Sequence, residues 1–505
     1  MDVPSEPLRP GTTFEVSVYV DQKSARAGED TIDVVATAGS QVEIQLVVSE
    51  HFYVNGAAMS TMIVTDAPRS DADRTFSVSV VPKADLPTNV VPSLIALFFY
   101  KGRPSGKVSR SVQIEGVTSQ ALTPTKDKVE LSDGTAADLT VIITGAEVND
   151  GRQFFCTVRS PWLDKYKTGV SKPWNLPQVS GGIVRDLMER FTADAITPSM
   201  LLAELRGSGR DLYDASPEVF QQALWELIDA GHPFKTIAIV TQEPFIPWEL
   251  MTPHRRTKDG RRQTRDALGA EFLIGRWPTP NGISPSQKIP LRDSFVIAPN
   301  YTPPLSFAIS EAKLVSDAFN GVSIAPADFD GVTVTLGRLG KTLLHFVCHG
   351  EDEETEIDAI RSEEPEKRTR TMVQIIRLER GQTLNSTQIL GLPDVEAMFE
   401  QHRPFVFLNA CEIGRAMPAL VGVGGFAKSF IDLGASAVIA PLWSVKDAIA
   451  QKIAATFYQR VLTEPQTPFA EILRDLRRKA YEPGQAEDSY AAYCFYGDPA
   501  ATRES

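Results

Sequence analysis

Two apolar runs in the second half of this sequence lead into residues able to do nucleophilic chemistry. KTLLHFVC runs into His349-Gly350, and PFVFLNA runs into Cys411. A free cysteine titrates near about 8.5, so it needs a base or a cation to become a thiolate near neutral pH. An imidazole beside it supplies that base and later returns a proton to a leaving amine. Gly350 has no side chain, so its N–H can approach a reacting carbonyl. With the N–H of Cys411 it makes a candidate oxyanion hole. The chemistry expected of this set is acyl transfer through cysteine, with peptide hydrolysis first. A thiol-dependent acyl transferase or ligase is a remote second.

Other reactive residues nearby have plainer readings. His345 lies four residues before His349, inside the apolar run, and reads as a packed or hydrogen-bonded core histidine. Cys348 is expected on the opposite face from the base, because strand side chains alternate. Cys156 sits among apolar neighbours and reads as a small buried hydrophobe. His51, His232, His254 and His402 show no ligand spacing, so neither a metal nor a cofactor is expected.

These residues need elements to hold them. SFVIAPN, KTLLHFVCHG, PFVFLNAC and SAVIAPLW read as buried strands. SFAISEAKLVSDAFNG, GFAKSFIDLG and a long segment from Asp447 to about Leu462 have apolar residues at helical spacing. Continuous apolar strands alternating with amphipathic helices imply a mostly parallel sheet covered on both faces. In such sheets functional residues gather beyond the carboxyl ends of the strands. Upstream, GGIVRDLMERF, PSMLLAELRGSGRDLYD and PEVFQQALWELIDAG also read as helices, the last opened by Pro217 and closed by Gly231.

The first 118 residues have a different texture. FEVSVYVD, TIDVVATA, QVEIQLVV, RTFSVSVVP, LIALFFYK and SRSVQIEG read as short strands separated by turns such as KGRPSG. They predict an antiparallel β-sandwich. Residues 119–184 form a strand-rich connecting region, and residues 185–505 the α/β domain.

Bulk properties bound the answer. The chain has 505 residues, 42% apolar and 23% charged, which suits a globular protein of several domains. A net charge of −13 argues against direct nucleic-acid binding. No run of about 18 apolar residues appears, so no membrane association is expected. Four cysteines without paired spacing imply a reduced, cytoplasmic setting.

The motifs LLHFVCHG, LNACEIG, GGFAKSFIDLGASAVIAPLWSVKD and YAAYCFYGDP resemble those of the CHAT domain, a caspase-like peptidase domain related to separase. IPWEL at 246–250 resembles a further landmark. The likeness covers roughly residues 185–500; Val347 stands where alanine is frequent. It implies a caspase-type fold and peptide hydrolysis by a His349–Cys411 dyad. It matches Asp447 to an acidic position that reads a basic P1 residue, though Asp447, or Ser444, could simply cap the helix that follows. It places Asn409 where some relatives carry an S1-lining aspartate. Glu412 flanks the nucleophile, and Trp443 is a candidate pocket wall or a core tryptophan.

Two loops are expected around the site. Residues 351–370 are strongly charged and read as a solvated loop or a lid, with Arg361, Lys367, Arg368 and Arg370 as candidate self-cleavage points. The glycine-rich stretch after Cys411 is expected to shape the substrate pocket. The basic stretch 254–265 reads as a solvated insertion. The resemblance implies a protein substrate and a role in prokaryotic defence or signalling, switched on by a protein partner or an upstream protease. The competing expectation is an inactive scaffold whose β-sandwich binds a partner.

Overall fold

A computed structural model describes the chain except for residues 22–30, 36, 88–91, 118–125, 132–133, 146–152, 176–186, 188–189, 192–195, 244–245, 279–284, 339, 358–368, 393, 412–421 and 505. The chain divides into two compact units. The first holds residues 1–179, 216–243 and 278–284; the second holds 180–215, 244–277 and 285–505.

The first unit contains the sandwich. One sheet orders Thr13–Val16, Phe76–Val80 and Phe52–Asn55; the other orders Arg103–Ser111, Ser93–Tyr100, Gln41–Val48 and Met59–Ile63. Their inner faces share one core that includes Phe14, Val16, Ile44, Leu46, Val78 and Phe98. Two of these strands, Phe52–Asn55 and Met59–Ile63, are additions to the sequence expectation, because HFYVNGAAMSTM lacks a sustained β-branched run. The expected KGRPSG turn shrinks to Lys101-Gly102. Both residues have positive φ, 50° and 76°, as a two-residue hairpin requires. The strand then starts at Arg103 and passes a register shift between Pro104 and Gly106.

The same unit holds four further hydrogen-bonded strands, in the order Val170–Asn175, Gln153–Arg159, Leu139–Gly145 and Thr236–Thr241. The helix Glu218–Asp229 packs on them, entered from Pro217 and left through Gly231 at φ 68°. Cys156 is fully buried there. Arg159 joins these strands to the sandwich. Its guanidinium contacts Glu43 at 2.6 Å and the Lys167 carbonyl at 2.8 Å, and lies 3.9 Å from the centre of the Phe99 ring.

The second unit is the expected α/β structure. Its main elements are β1 (Leu273–Pro278), β2 (Ser294–Ile297), α1 (Ala308–Ala318), β3 (Leu343–Ile357), β4 (Thr369–Arg377), β5 (Phe405–Cys411), α2 (Gly422–Asp432), β6 (Ala437–Pro441), α3 (Asp447–Thr463), α4 (Phe469–Arg478) and β7 (Tyr493–Tyr496). The strands order β1-β7-β6-β5-β3-β2, with Val322–Ser323 beyond β2. From β6 outward through β5, β3 and β2 the pairing is parallel; β7 runs antiparallel to β6. The sheet is therefore mixed, with a parallel block at its centre.

Helices cover both faces of that block. Ala450, Ile453, Ala454, Phe457, Tyr458 and Val461 form one buried stripe of α3 at helical spacing. Phe457 stacks on Phe405 at 5.8 Å, and Tyr458 meets Phe407 at 5.5 Å. On the other face Phe430 of α2 meets Phe346 at 5.6 Å. Among the described residues, no helix is long and apolar enough to cross a membrane.

One expectation about β3 is corrected. The strand does not stop at His349-Gly350. It continues to Ile357 and returns as β4, in a hairpin whose register runs from Gly350↔Ile376 to Ile357↔Thr369. Residues 351–357 are thus strand rather than loop, and Arg370 is a strand residue opposite Glu356. Ile375 and Ile376 of β4 are buried, and they supply the apolar content that the charged segment EDEETEI lacks. Arg361, Lys367 and Arg368 lie outside the described residues. The basic stretch near 260 is also a small hairpin, His254–Arg256 against Arg262–Thr264.

Candidate active site

Parallel pairing of β3 with β5 runs without a break from Leu343↔Phe405 to His349↔Cys411. His349 and Cys411 are therefore direct register partners on adjacent strands, at the carboxyl end of β5. In a parallel sheet neighbouring strands lie about 4.8 Å apart. That is the scale on which an imidazole and a thiol can meet.

His349 is half-buried, and a residue the sequence reading passed over holds it. Tyr301 places its ring 4.5 Å from the imidazole, centre to centre. Its hydroxyl accepts the His349 backbone N–H at 3.0 Å and donates to the Arg377 carbonyl of β4 at 2.8 Å. One phenol thus joins the histidine to the returning arm of the hairpin. Burial pushes the Tyr301 phenol above its ordinary range, so it stays protonated. Cys348 points to the other side, its thiol against the Ile297 carbonyl at 3.5 Å. Burial pushes that thiol up as well.

His345 is fully buried and hydrogen-bonded, as expected of a core histidine. Nδ1 meets the Tyr458 hydroxyl at 2.9 Å, and Nε2 meets Oε1 of Glu311 at 2.8 Å. Asn409 is also fully buried, its amide donating to the same Glu311 oxygen at 2.6 Å and accepting from the Tyr493 hydroxyl. It lies inside the fold, out of reach of solvent. Glu311 was legible in principle. It sits within the apolar stripe of α1, between Ala308, Ala312 and Val315, where a solvated glutamate does not belong.

The remaining candidates surround the start of α3. Trp443 is 7% exposed. It packs against Phe191 at 5.7 Å and donates its indole N–H to Asp488 at 3.1 Å. Burial, with Glu487 beside it, pushes the Asp488 carboxyl up to about 7. Asp447 is half-buried, and its Oδ2 accepts the Phe307 backbone N–H at 3.1 Å, joining the first turn of α3 to the start of α1. Neither Asp447 nor Ser444 caps α3: Lys446 holds the cap position, with no side-chain cap bond. Gly350 follows the histidine as the first hairpin residue. Glu412 lies outside the described residues, with nearly all of the glycine-rich stretch up to residue 421. Among the described residues, no group of three or more His, Cys, Asp or Glu side chains is placed to hold a metal.

The CHAT domain model matches residues 206–498, more than half of the sequence. This chain belongs to the CHAT domain family. The matched span includes His349, Cys411 and the IPWEL landmark. A search of curated proteins returns no match. Among solved structures, the Arg-specific cysteine proteinase gingipain R is similar at 13% identity and TM-score 0.35, over 59% of this chain and 74% of that one. The pro- and mature domains of RgpB from Porphyromonas gingivalis are similar at 12% identity and TM-score 0.34, over 65% and 78%. The Saccharomyces cerevisiae separase–securin complex is similar at 10% identity and TM-score 0.41, over 73% of this CHAT chain and 30% of that chain.

The IPWEL landmark of this CHAT domain has a structural account. Glu249 and Arg276 form an ion pair whose side chains are each 1% exposed. The Arg276 Nε lies 2.9 Å from Oε1 of Glu249, and a terminal nitrogen reaches the Ile246 carbonyl at 3.0 Å. Burial alone would raise the Glu249 carboxyl; the charge and hydrogen bonds of Arg276 outweigh it and hold it low. Gly269 packs against the pair so closely that an added Cβ would lie 2.7 Å from the Cβ of Glu249.

Proposed function

We propose that this CHAT protein is a cysteine peptidase in which His349 draws the proton from Cys411 and the thiolate attacks a peptide carbonyl. The observation that carries this reading is the register pairing of His349 with Cys411 across adjacent parallel strands. The thiolate forms a tetrahedral adduct; collapse expels the amine, which takes its proton from His349. Water then attacks the acyl-enzyme, again with His349 as base. The N–H groups of Gly350 and Cys411 serve as oxyanion donors.

The substrate is a protein cut after a basic residue. Asp447 supplies the carboxylate for P1, since an arginine guanidinium meets a carboxylate in a planar, two-point way. Its half-buried place in the first turn of α3 supports that role. The setting proposed is cytoplasmic, in a prokaryotic defence or signalling cascade, with activation by a protein partner or an upstream protease.

The test uses Arg-, Lys- and Asp-terminated fluorogenic peptides with the wild type and Cys411→Ala. The expected result is cleavage after Arg and Lys that Cys411→Ala abolishes. Cleavage that survives this substitution sinks the reading. For Asp447→Ala, the expected result is loss of Arg cleavage with thiol reactivity intact.

A further inference from the structure

Glu311 belongs to α1, yet its carboxylate reaches both strands that carry the dyad. On β3 it meets His345, four residues before His349. On β5 it meets Asn409, two residues before Cys411. Side chains two or four apart on a strand share a face, so these contacts lie on the face of the dyad positions. The same oxygen, Oε1, takes both contacts. Oε2 is buried with no partner among the described residues, so His345 and Asn409 set the orientation of the carboxylate.

The clamp is itself held from two sides. Tyr458 of α3 fixes the far nitrogen of His345, and Tyr493 of β7 fixes the oxygen of Asn409. With the His345 proton on Nε2, toward Glu311, Nδ1 accepts from the Tyr458 hydroxyl. Burial, with the Glu311 carboxylate nearby, raises the Tyr458 phenol and keeps that proton in place. All five residues are buried.

Stability does not explain this choice of residues. Burying a carboxylate, an imidazole, an amide and two phenols carries a desolvation cost. An apolar set of equal volume often packs as well or better. What the polar set adds is direction: each bond fixes one strand against α1 at a defined angle.

We propose that Glu311 is a positioning residue. By binding His345 and Asn409 at once, it fixes the relative placement of the two dyad strands, so that the His349 imidazole stays within reach of the Cys411 thiol. This rests on the dyad reading above. Loosening the clamp lets the two strand ends shift, and the thiol returns toward the behaviour of a free cysteine.

The test needs no substrate. Cys156, Cys348 and Cys494 are buried, and burial pushes their thiols up, so alkylation of the folded chain by iodoacetamide reads Cys411, checked by peptide mass. The rate is followed against pH for wild type, Glu311→Gln, Tyr493→Phe and Glu249→Gln. In wild type the midpoint should lie below about 8.5, the free-thiol value. In Glu311→Gln it should move up toward that value, with at least a tenfold lower rate at pH 7. Tyr493→Phe should shift the profile in the same direction by less, and it serves as the test if Glu311→Gln does not melt cooperatively. Glu249→Gln disturbs another buried carboxylate of the same unit and should lower the melting temperature without moving the midpoint. A wild-type Cys411 that titrates as a free thiol overturns the dyad and the clamp together. A low wild-type midpoint that Glu311→Gln and Tyr493→Phe leave unchanged overturns the clamp alone, as does an equal shift in Glu249→Gln.

Discussion

A single oxygen atom, the hydroxyl of Tyr301, joins the main chain of His349 to the carbonyl of Arg377. Tyr301→Phe keeps the ring against the imidazole and deletes both bonds. Removing one side of a buried hydrogen bond costs about 1–3 kcal/mol. The expected outcome in urea denaturation is a loss near the lower end of that range, because Tyr301 is only half-buried. Slower alkylation of Cys411 should accompany it. Asp488 gives a second prediction, in pH. Its carboxyl is pushed up to about 7 in the fold, by burial first and then by Glu487, against about 3.9 in an unfolded chain. A carboxyl that holds its proton more tightly when folded stabilises the fold at low pH. That contribution falls away as pH rises from about 4 to 7. Glu487 is held low and acts oppositely, its contribution being lost as pH falls. Asp488→Asn keeps an acceptor for Trp443 and should melt like wild type at about pH 3, below both values, and increasingly above wild type as pH rises from about 4 to 7.

At the scale of elements, the Glu249–Arg276 pair tests how β1 is held to the segment before it. Removing one partner of a buried ion pair leaves an uncompensated charge and costs about 3–5 kcal/mol. Arg276→Met alone should therefore destabilise severely, and Arg276→Met combined with Glu249→Leu should recover much of the loss. Denaturation midpoints of the three proteins decide it. The elements that carry His349 and Cys411 were legible from sequence because they are apolar runs bounded by residues of another kind. Parallel strands buried on both faces need such runs, and α1 and α3 show their stripes plainly. What could not be read there was tertiary. EDEETEI has no strand signal of its own; it is strand because TMVQIIR in β4 pairs with it. Glu311 looks like any helix-surface glutamate until its place in the stripe is counted, and Asn409, read as a pocket residue, is enclosed by α1 and β7. The alternative reading of Asp447 as the cap of α3 failed for a related reason: its carboxylate accepts the Phe307 backbone N–H instead.

Across the whole molecule, the net charge of −13 acts on any charged substrate before contact. A peptide with a basic residue at the cut site is drawn toward an acidic protein, and salt screens that attraction with a length of about 8–10 Å near physiological ionic strength. The proposed specificity thus predicts that kcat/KM for an Arg peptide falls as salt rises from low ionic strength, with kcat little changed. A flat dependence would count against basic specificity. In the first unit, Arg159 binds Glu43 and covers Phe99, so the sandwich is fastened to the neighbouring sheet. Arg159→Ala should lower the stability of that unit, read as a lower melting temperature. The hairpin of β3 and β4 has a mechanical meaning as well. His349 is not the last residue of a strand with a loose end; it pairs with Cys411 of β5, and from Gly350 onward the same strand is paired with β4. Load applied to the far arm near Ile357 travels along paired backbone to the imidazole, with Tyr301 as the rivet between the arms. Under the proposed peptidase reading, a protein that grips the arm would advance or retard the reaction by bending one strand, without touching the bound peptide.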